Sequence, residues 1–291
     1  MSSFHKGVLS AVIAQVLWGL FPFYWKWLDH VNSIEILSHR TLWCAVFLSV
    51  LVVFTAERRA IVRRVLSSKA EIGQHFISSS LIAANWLVYI WAVNNNHVID
   101  ASLGYFLSPL VSVVLGFLVF SERLNVFQWS AVILAALGVV IMTVASGVFP
   151  WIGLALAFSF GIYGMARKKA STGPINGLFV ETLLLVPVSL LALLWLFDTG
   201  DLTYKISLNQ TDMLLVLGGL VTAIPLVLYA QGARSLPLSF SGLLVFITPS
   251  IQFLIGWRFF KEPILLASWF GFACIWLALV LYSFALAKIE G

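Results

Sequence analysis

Apolar runs of about membrane-spanning length recur along this chain, separated by short polar connections. A helix needs about 20 mostly apolar residues to cross a bilayer. Ten runs meet that pattern, at 7–28, 33–55, 72–93, 101–120, 126–145, 150–166, 174–197, 212–233, 239–260 and 264–287. The pattern predicts an all-α membrane protein. The run at 7–28 is about as long as a full span and has no small-residue cleavage site, so it is expected to stay as an anchor. The longest connections, 56–71 and 198–211, are too short to fold as domains of their own.

The two halves of the chain match each other at an offset of 140 residues. Pro109 pairs with Pro249, Gly116 with Gly256, Glu122 with Glu262 and Trp129 with Trp269, without a gap. Ala83/Ala223, Tyr89/Tyr229, Leu103/Leu243, Phe106/Phe246 and Phe120/Phe260 keep the same offset. Leu and Phe coincide easily in so apolar a chain, whereas Pro, Glu and Trp recurring together do not. The expected organisation is a first five-helix repeat over 1–148 and a second over 149–291. Five is odd, so the second repeat must enter the membrane in the opposite sense. Two inverted repeats around a central cavity are the arrangement that gives secondary transporters two exchangeable conformations.

Composition removes the soluble alternative. The chain has 291 residues, 61% hydrophobic and 10% charged. A soluble protein carries roughly 25% charged residues. Basic residues then set the orientation. Arg58, Arg59, Arg63, Arg64 and Lys69 fall in one connection, and Arg167, Lys168 and Lys169 in another on the same side. With Lys6, Arg123, Arg234 and Lys288, that side holds twelve of the 17 Lys and Arg. Both termini are therefore expected in the cytoplasm. The net charge of +5 is read as a topology signal, and no nucleic-acid partner is expected. The basic connection after the second run also suits anionic headgroups.

No phosphate-binding Gly-Lys-Ser or Gly-Lys-Thr loop, His-Glu-x-x-His or Gly-x-Ser-x-Gly is present. Of the histidines at 5, 30, 39, 75 and 97, only His39 is expected deep enough in a span to matter. No clustered ligands suggest a metal, and no cofactor is expected. Cys44 and Cys274 both fall in predicted spans, which argues against a disulfide framework.

The opening run Lys6-Gly7-Val8 through Gln15-Val16-Leu17-Trp18-Gly19-Leu20-Phe21-Pro22-Phe23-Tyr24-Trp25-Lys26 and the run Ile34-Glu35-Ile36-Leu37-Ser38-His39-Arg40-Thr41-Leu42-Trp43 form a recognisable signature. Leu103-Gly104-Tyr105-Phe106-Leu107-Ser108-Pro109-Leu110 and Tyr163-Gly164 extend it. Together they resemble the RarD group of EamA-type proteins, in the drug/metabolite transporter superfamily. The resemblance covers the whole chain. It implies ten helices in two inverted halves, a central cavity and a bacterial inner-membrane location. The group's name associates it with chloramphenicol sensitivity or resistance.

Polar groups inside spans are the candidate transport residues, because they are costly in hydrocarbon and face the bundle interior. Glu35 and His39 are four residues apart on one helical face, and Trp43 continues it. Arg40 follows about 100° round, by helical geometry. His39, Arg40 and Trp43 are expected to bind substrate, with Glu35 tuning them or exchanging protons. The competing reading pins the second span at the interface with a Glu35 ion pair. Glu181 has no partner nearby in sequence and sits opposite His39 at a shift of about 142 residues. A carboxylate so placed must be protonated, paired or facing water, and it is the leading proton-coupling candidate. Trp18, Asn85, Tyr89, Tyr105, Tyr163 and Gln252 complete the expected substrate site, and Gln15 and Gln231 are further mid-span amides. Trp25, Lys26 and Trp27 look like an interfacial belt. Glu122 and Glu262 read as anchors at span ends. Pro22, Pro109, Pro187, Pro225 and Pro249 are candidate hinges or fixed bends.

The expected function is export of small organic metabolites or chloramphenicol-like drugs by alternating access, with protons as the candidate coupling ion. The protein is expected to work as a monomer or weak homodimer in the bilayer. An intramembrane lipid-modifying enzyme is the alternative from another class. It needs paired acid/base groups converging near one interface, and no second cluster answers Glu35, His39 and Arg40.

Overall fold

Hydrocarbon offers no water to backbone N–H and C=O groups, so a spanning segment must satisfy them itself. A computed structural model describes residues 3–120, 125–207, 209–233 and 244–290, and these form helices and no strands. Glu122, Arg123, Arg234 and Leu243 lie outside the described residues, as do the side chains of Phe120, Lys168, Lys169, Gln231 and Lys288.

The helices are α1 (Ser3–Gly19), α2 (Phe21–Lys26), α3 (Ser33–Val53), α4 (Ala56–Leu66), α5 (Lys69–Asn94), α6 (Val98–Phe120), α7 (Val126–Ser146), α8 (Trp151–Lys169), α9 (Pro174–Thr199), α10 (Gln210–Ala233), α11 (Ile247–Leu254) and α12 (Leu266–Glu290). Seven stretches are long and apolar enough to cross a membrane: α1 with α2, then α3, α5, α6, α7, α9 and α10. Helices α8 and α12 contain shorter apolar segments, Trp151–Arg167 and Leu266–Tyr282. A turn of π-helix, Ile255–Phe259, continues α11. These elements are compatible with ten spans.

Local chemistry fixes several ends. The Asn32 side chain accepts from the Ile34 N–H at 2.9 Å and starts α3. Asn125 and Gln128 form a reciprocal capping box on α7. Gly200 closes α9 at φ +79°, a left-handed conformation that a Cβ would disfavour. The first apolar run bends at Gly19 and Leu20, and Pro22 lies in the first turn of α2, where its missing N–H costs nothing. Pro109, Pro187 and Pro225 lie inside α6, α9 and α10.

One connection differs from the sequence expectation. Residues 56–66 form the basic helix α4, which buries Val62 and Val65 against Val52 and Val180. It carries too little apolar length to register as a span, yet its two valines suffice to lay it against α9.

The main pairings are α1 with α10 and α11, α3 with α9 and α10, α5 with α8 and α9, α6 with α8 and α11, and α7 with α12. Exchanging α1, α3, α5, α6 and α7 for α8, α9, α10, α11 and α12 returns the same set. Small residues make the closest of these contacts, as is usual where lipid provides no hydrophobic drive between helices. A Cβ on Gly219 of α10 would stand 2.4 Å from the Trp43 carbonyl carbon and 2.5 Å from the Cys44 nitrogen of α3. Gly138 of α7 and Gly271 of α12 each back onto the other's carbonyl. Glu262 joins the second half to the first: its two carboxylate oxygens accept the Val98 and Ile99 N–H groups at 2.7 and 2.8 Å, at the start of α6. Burial raises this carboxyl above its ordinary value, against the lowering pull of the two amides.

Gly219→Ala should destabilise the protein by about 1–3 kcal/mol, because α3 backbone rather than a mobile side chain blocks the new methyl. Gly73→Ala on α5, where a Cβ meets nothing within 4 Å, should instead gain up to about 1 kcal/mol. Thermal unfolding of both variants in detergent checks the contrast.

Candidate functional site

Two polar clusters lie inside the bundle, one around Arg40 on α3 and one around Glu181 on α9. Arg40 is seven residues into α3 and Glu181 seven into α9, each about 10 Å along its helix at 1.5 Å per residue.

The Arg40 side chain is buried, at 4% exposure. Its guanidinium carbon sits 4.0 Å from the Trp86 ring centroid, 5.2 Å from that of Trp25 and 5.9 Å from that of Phe21. Nε donates to the Thr222 hydroxyl at 2.8 Å, and Nη1 has no partner. The phenols of Tyr89 and Tyr105 lie within electrostatic range of the charge. Gln252 of α11 donates to the Tyr89 hydroxyl at 2.9 Å and to the Trp18 carbonyl at 3.2 Å, leaving its own Oε1 without a partner. The rings of Tyr89 and Tyr105 meet at 5.5 Å, and Tyr105 donates to the Asn85 Oδ1 at 3.4 Å. Asn85 in turn donates to the Leu156 carbonyl and the Ser159 hydroxyl on α8. Arg40, Asn85, Tyr89, Tyr105, Gln252 and the Trp18 backbone thus come together from α1, α3, α5, α6 and α11. The Trp18 ring turns instead toward Tyr229, at 5.6 Å. Trp43 stands apart, its ring 6.3 Å from that of Phe47.

Cation–π contacts with a desolvated cation are worth about 2 kcal/mol or more. Burying an ion costs several kcal/mol after relaxation. Three rings therefore soften the burial of Arg40 without replacing a counter-charge.

Glu35 and His39 have other partners. The Glu35 carboxylate is fully buried and accepts the Thr203 N–H at 3.0 and 3.1 Å and the Tyr204 N–H at 2.8 Å. It anchors the connection between α9 and α10 rather than pairing with Arg40 or His39. The Tyr204 ring then covers His39, with centroids 4.5 Å apart. Asp212 holds the same connection through the Lys205 and Ser207 N–H groups at 3.1 and 2.8 Å.

Glu181 is fully buried and well partnered. Ser78 donates to it at 2.6 Å and Tyr163 at 3.0 Å. Arg167 Nη1 stands 3.5 Å away and His75 Nδ1 3.8 Å. Arg167 also donates to the Thr172 hydroxyl at 3.0 Å and to the Gly173 carbonyl. A Cβ on Gly177 would strike the Arg167 guanidinium, so that glycine leaves the room in which the arginine reaches Glu181. A cavity of about 410 Å³ beside this cluster is lined by Tyr163, Arg167, Thr172, Pro174, Leu178 and Leu226. Trp86, which covers Arg40, packs in one apolar cluster with Tyr163, Leu178 and Leu226. A larger cavity, about 570 Å³, lies among Asp29, Asn32, Trp91, Asn94 and Trp151 and touches neither polar cluster.

The sequence missed several of these groups. His75, dismissed beside His39, is 2% exposed and faces Glu181. Its spacing of three from Ser78 on α5 is the only local sign. Trp25, read as part of an interfacial belt, is fully buried against Arg40, while its neighbour Trp27 is 61% exposed. Thr222 and Arg167 reach their partners across helices, which no spacing in the chain reports.

This is a polytopic helical membrane protein with a charged, aromatic-lined interior, the class of proteins that move solutes. The EamA-like transporter family model matches residues 5–144 and again 149–284, and the chain belongs to that family, in its RarD group within the drug/metabolite transporter superfamily. The chain is 41% identical to the transporter YojE of Bacillus subtilis (strain 168), covering 97% of this chain and 95% of that protein. It is 40% identical to Protein RarD of Streptomyces exfoliatus, over 96% and 88% of the two chains. It is 29% identical to the Chloramphenicol-sensitive protein RarD of Pseudomonas aeruginosa, over 98% and 95%. A chain of known crystal structure superposes with a TM-score of 0.62 at 15% identity, over 96% of this chain and 97% of that one, a likeness of fold alone.

Glu35→Ala should release the connection it anchors. Amide hydrogen exchange at Thr203 and Tyr204 is expected to speed up by about tenfold or more, the loss of two charge-assisted hydrogen bonds. Mass-spectrometric exchange of the detergent-solubilised variant measures it.

Proposed function

We propose that this protein is a secondary carrier that exports small organic molecules across the bacterial inner membrane by alternating access. Ten spans form two inverted halves, 1–148 and 149–291, with both termini in the cytoplasm. The observation that carries the reading is the placement of the two polar clusters. Arg40 and Glu181 occupy closely repeat-related positions on α3 and α9, and each cluster draws its partners from both halves of the chain. A carrier that rocks its halves about a central site needs groups whose partners change between its two conformations.

Each end of the bundle also holds a closure. Glu35 draws the connection of Thr203 and Tyr204 over His39 at one end of the bundle. Arg167 and Glu181 join α8 to α9 toward the other. Under the proposed topology, the first closure faces the periplasm and the second the cytoplasm. Glu181 is the proposed proton-coupling carboxylate. Gaining a proton would weaken its hold on Arg167 and free that end to open. Arg40, Tyr89, Tyr105, Asn85 and Gln252 are the proposed substrate contacts. A chloramphenicol-like drug is one candidate cargo, carried over from the name of the Pseudomonas aeruginosa relative.

Proteoliposomes test this with a panel of labelled metabolites and chloramphenicol, with and without an imposed pH gradient. Gradient-driven movement should fall at least about tenfold in Glu181→Gln, the equivalent of about 1.4 kcal/mol. Movement that ignores the gradient and survives the substitution would make the protein a facilitator and Glu181 a structural residue.

A further inference from the structure

Among the described residues, the Arg40 cluster holds a positive charge with no negative one to answer it. Among the described residues, no carboxylate lies within ion-pair distance of Arg40. Other buried carboxylates among the described residues are already engaged. Glu35 is held by the Thr203 and Tyr204 amides, Glu181 by Ser78, Tyr163 and Arg167, and Asp212 by Lys205 and Ser207. The guanidinium uses Nε on Thr222 and leaves Nη1 without a partner, though the side chain is only 4% exposed. An arginine can give five N–H donors and accept none, so the group that completes it must be an acceptor. A charged acceptor also supplies the missing counter-charge.

We infer that the cargo is an organic anion, whose carboxylate, phosphate or sulfonate is taken by Arg40 in the interior of the bundle. This rests on the carrier reading and narrows its substrate class. Arginine's planar fork suits an oxyanion through paired hydrogen bonds. The rest of the anion is apolar or planar. Trp86 and Trp25 flank the guanidinium, and the Tyr89 and Tyr105 rings lie close by. Gln252, with a free Oε1, offers an acceptor for a hydroxyl or amine on that body. The anion's arrival would let a buried cation cross between conformations as a neutral pair, which is cheaper in hydrocarbon than a bare charge. Chloramphenicol carries no ionised group at neutral pH, so on this inference an acid of similar size is the better cargo for this site.

The test uses the full-length protein in nanodiscs and a panel of aromatic and aliphatic carboxylates, phosphate esters and sulfonates. Each acid is paired with its uncharged amide or ester, and chloramphenicol is included. Binding is read by tryptophan fluorescence, since Trp86 and Trp25 adjoin the charge. At least one acid should bind about tenfold or more tightly than its uncharged partner, the worth of one charge-assisted hydrogen bond. That preference should vanish in Arg40→Met and persist in part in Arg40→Lys. If Arg40→Met does not fold, Thr222→Val, which removes the acceptor of Nε, should weaken the same acid several-fold and leave the amide unchanged. Uncharged compounds binding as well as acids, no acid binding, or an acid preference intact in folded Arg40→Met would each overturn the inference. Vesicle transport separates this from the carrier reading. Movement of neutral compounds alone would sink the anion and keep the carrier. Acid binding without movement of any compound would keep the anion site and sink the carrier.

Discussion

A charge inside hydrocarbon has no water to turn to, and the buried acids and bases among the described residues are placed under that constraint. Glu262 is held by the first two amides of α6, Glu35 by the amides of the connection after α9, and Asp212 by those of residues 205 and 207. Backbone donors are a sound solution because they belong to the chain itself and cannot rotate away as a side chain can. Each of these carboxylates therefore fastens one segment of chain to another. Glu181 is settled differently, by side chains of Ser78, Tyr163 and Arg167 that can rotate. A buried acid held by movable side chains is the kind that can exchange its partners.

Among the described residues, Arg40 is the buried charge that this constraint leaves incomplete. Three aromatic rings and one hydroxyl surround it, and they stabilise the cation without neutralising it. A stable, purely structural bundle gains nothing from such an arrangement, since an apolar residue of similar volume is often as good or better. Its retention at the junction of helices from both halves makes sense in a molecule that meets its counter-charge only when loaded. Membership in the EamA-like transporter family agrees with that picture and leaves the cargo open.

The all-helical architecture, the internal match of the two halves and the apolar runs were legible along the chain, because spans and repeats are one-dimensional signals. So were the individual residues Arg40, Glu181, Asn85 and Tyr89, since polarity within an apolar run stands out by itself. Their partners were not. Glu35 and His39 are four residues apart on one helical face, and spacing favoured an interaction between them, yet Glu35 turns to Thr203 and Tyr204, 168 and 169 residues away. His75 was passed over for lying near a span end, although α9 packs over it and buries it against Glu181.

The sequence alone determined that the chain lives in a membrane, that its halves are related and which of its polar residues are out of place in hydrocarbon. Those facts follow from composition and period, which the bilayer reads one segment at a time. Only the tertiary structure decided which of the described buried charges are satisfied and which is left over. That depends on helix pairs such as α3 with α10 and α5 with α9, whose contacts join residues more than a hundred positions apart. No local pattern carries such pairings, because they are set by how small residues such as Gly219 and Gly177 let helices and side chains approach.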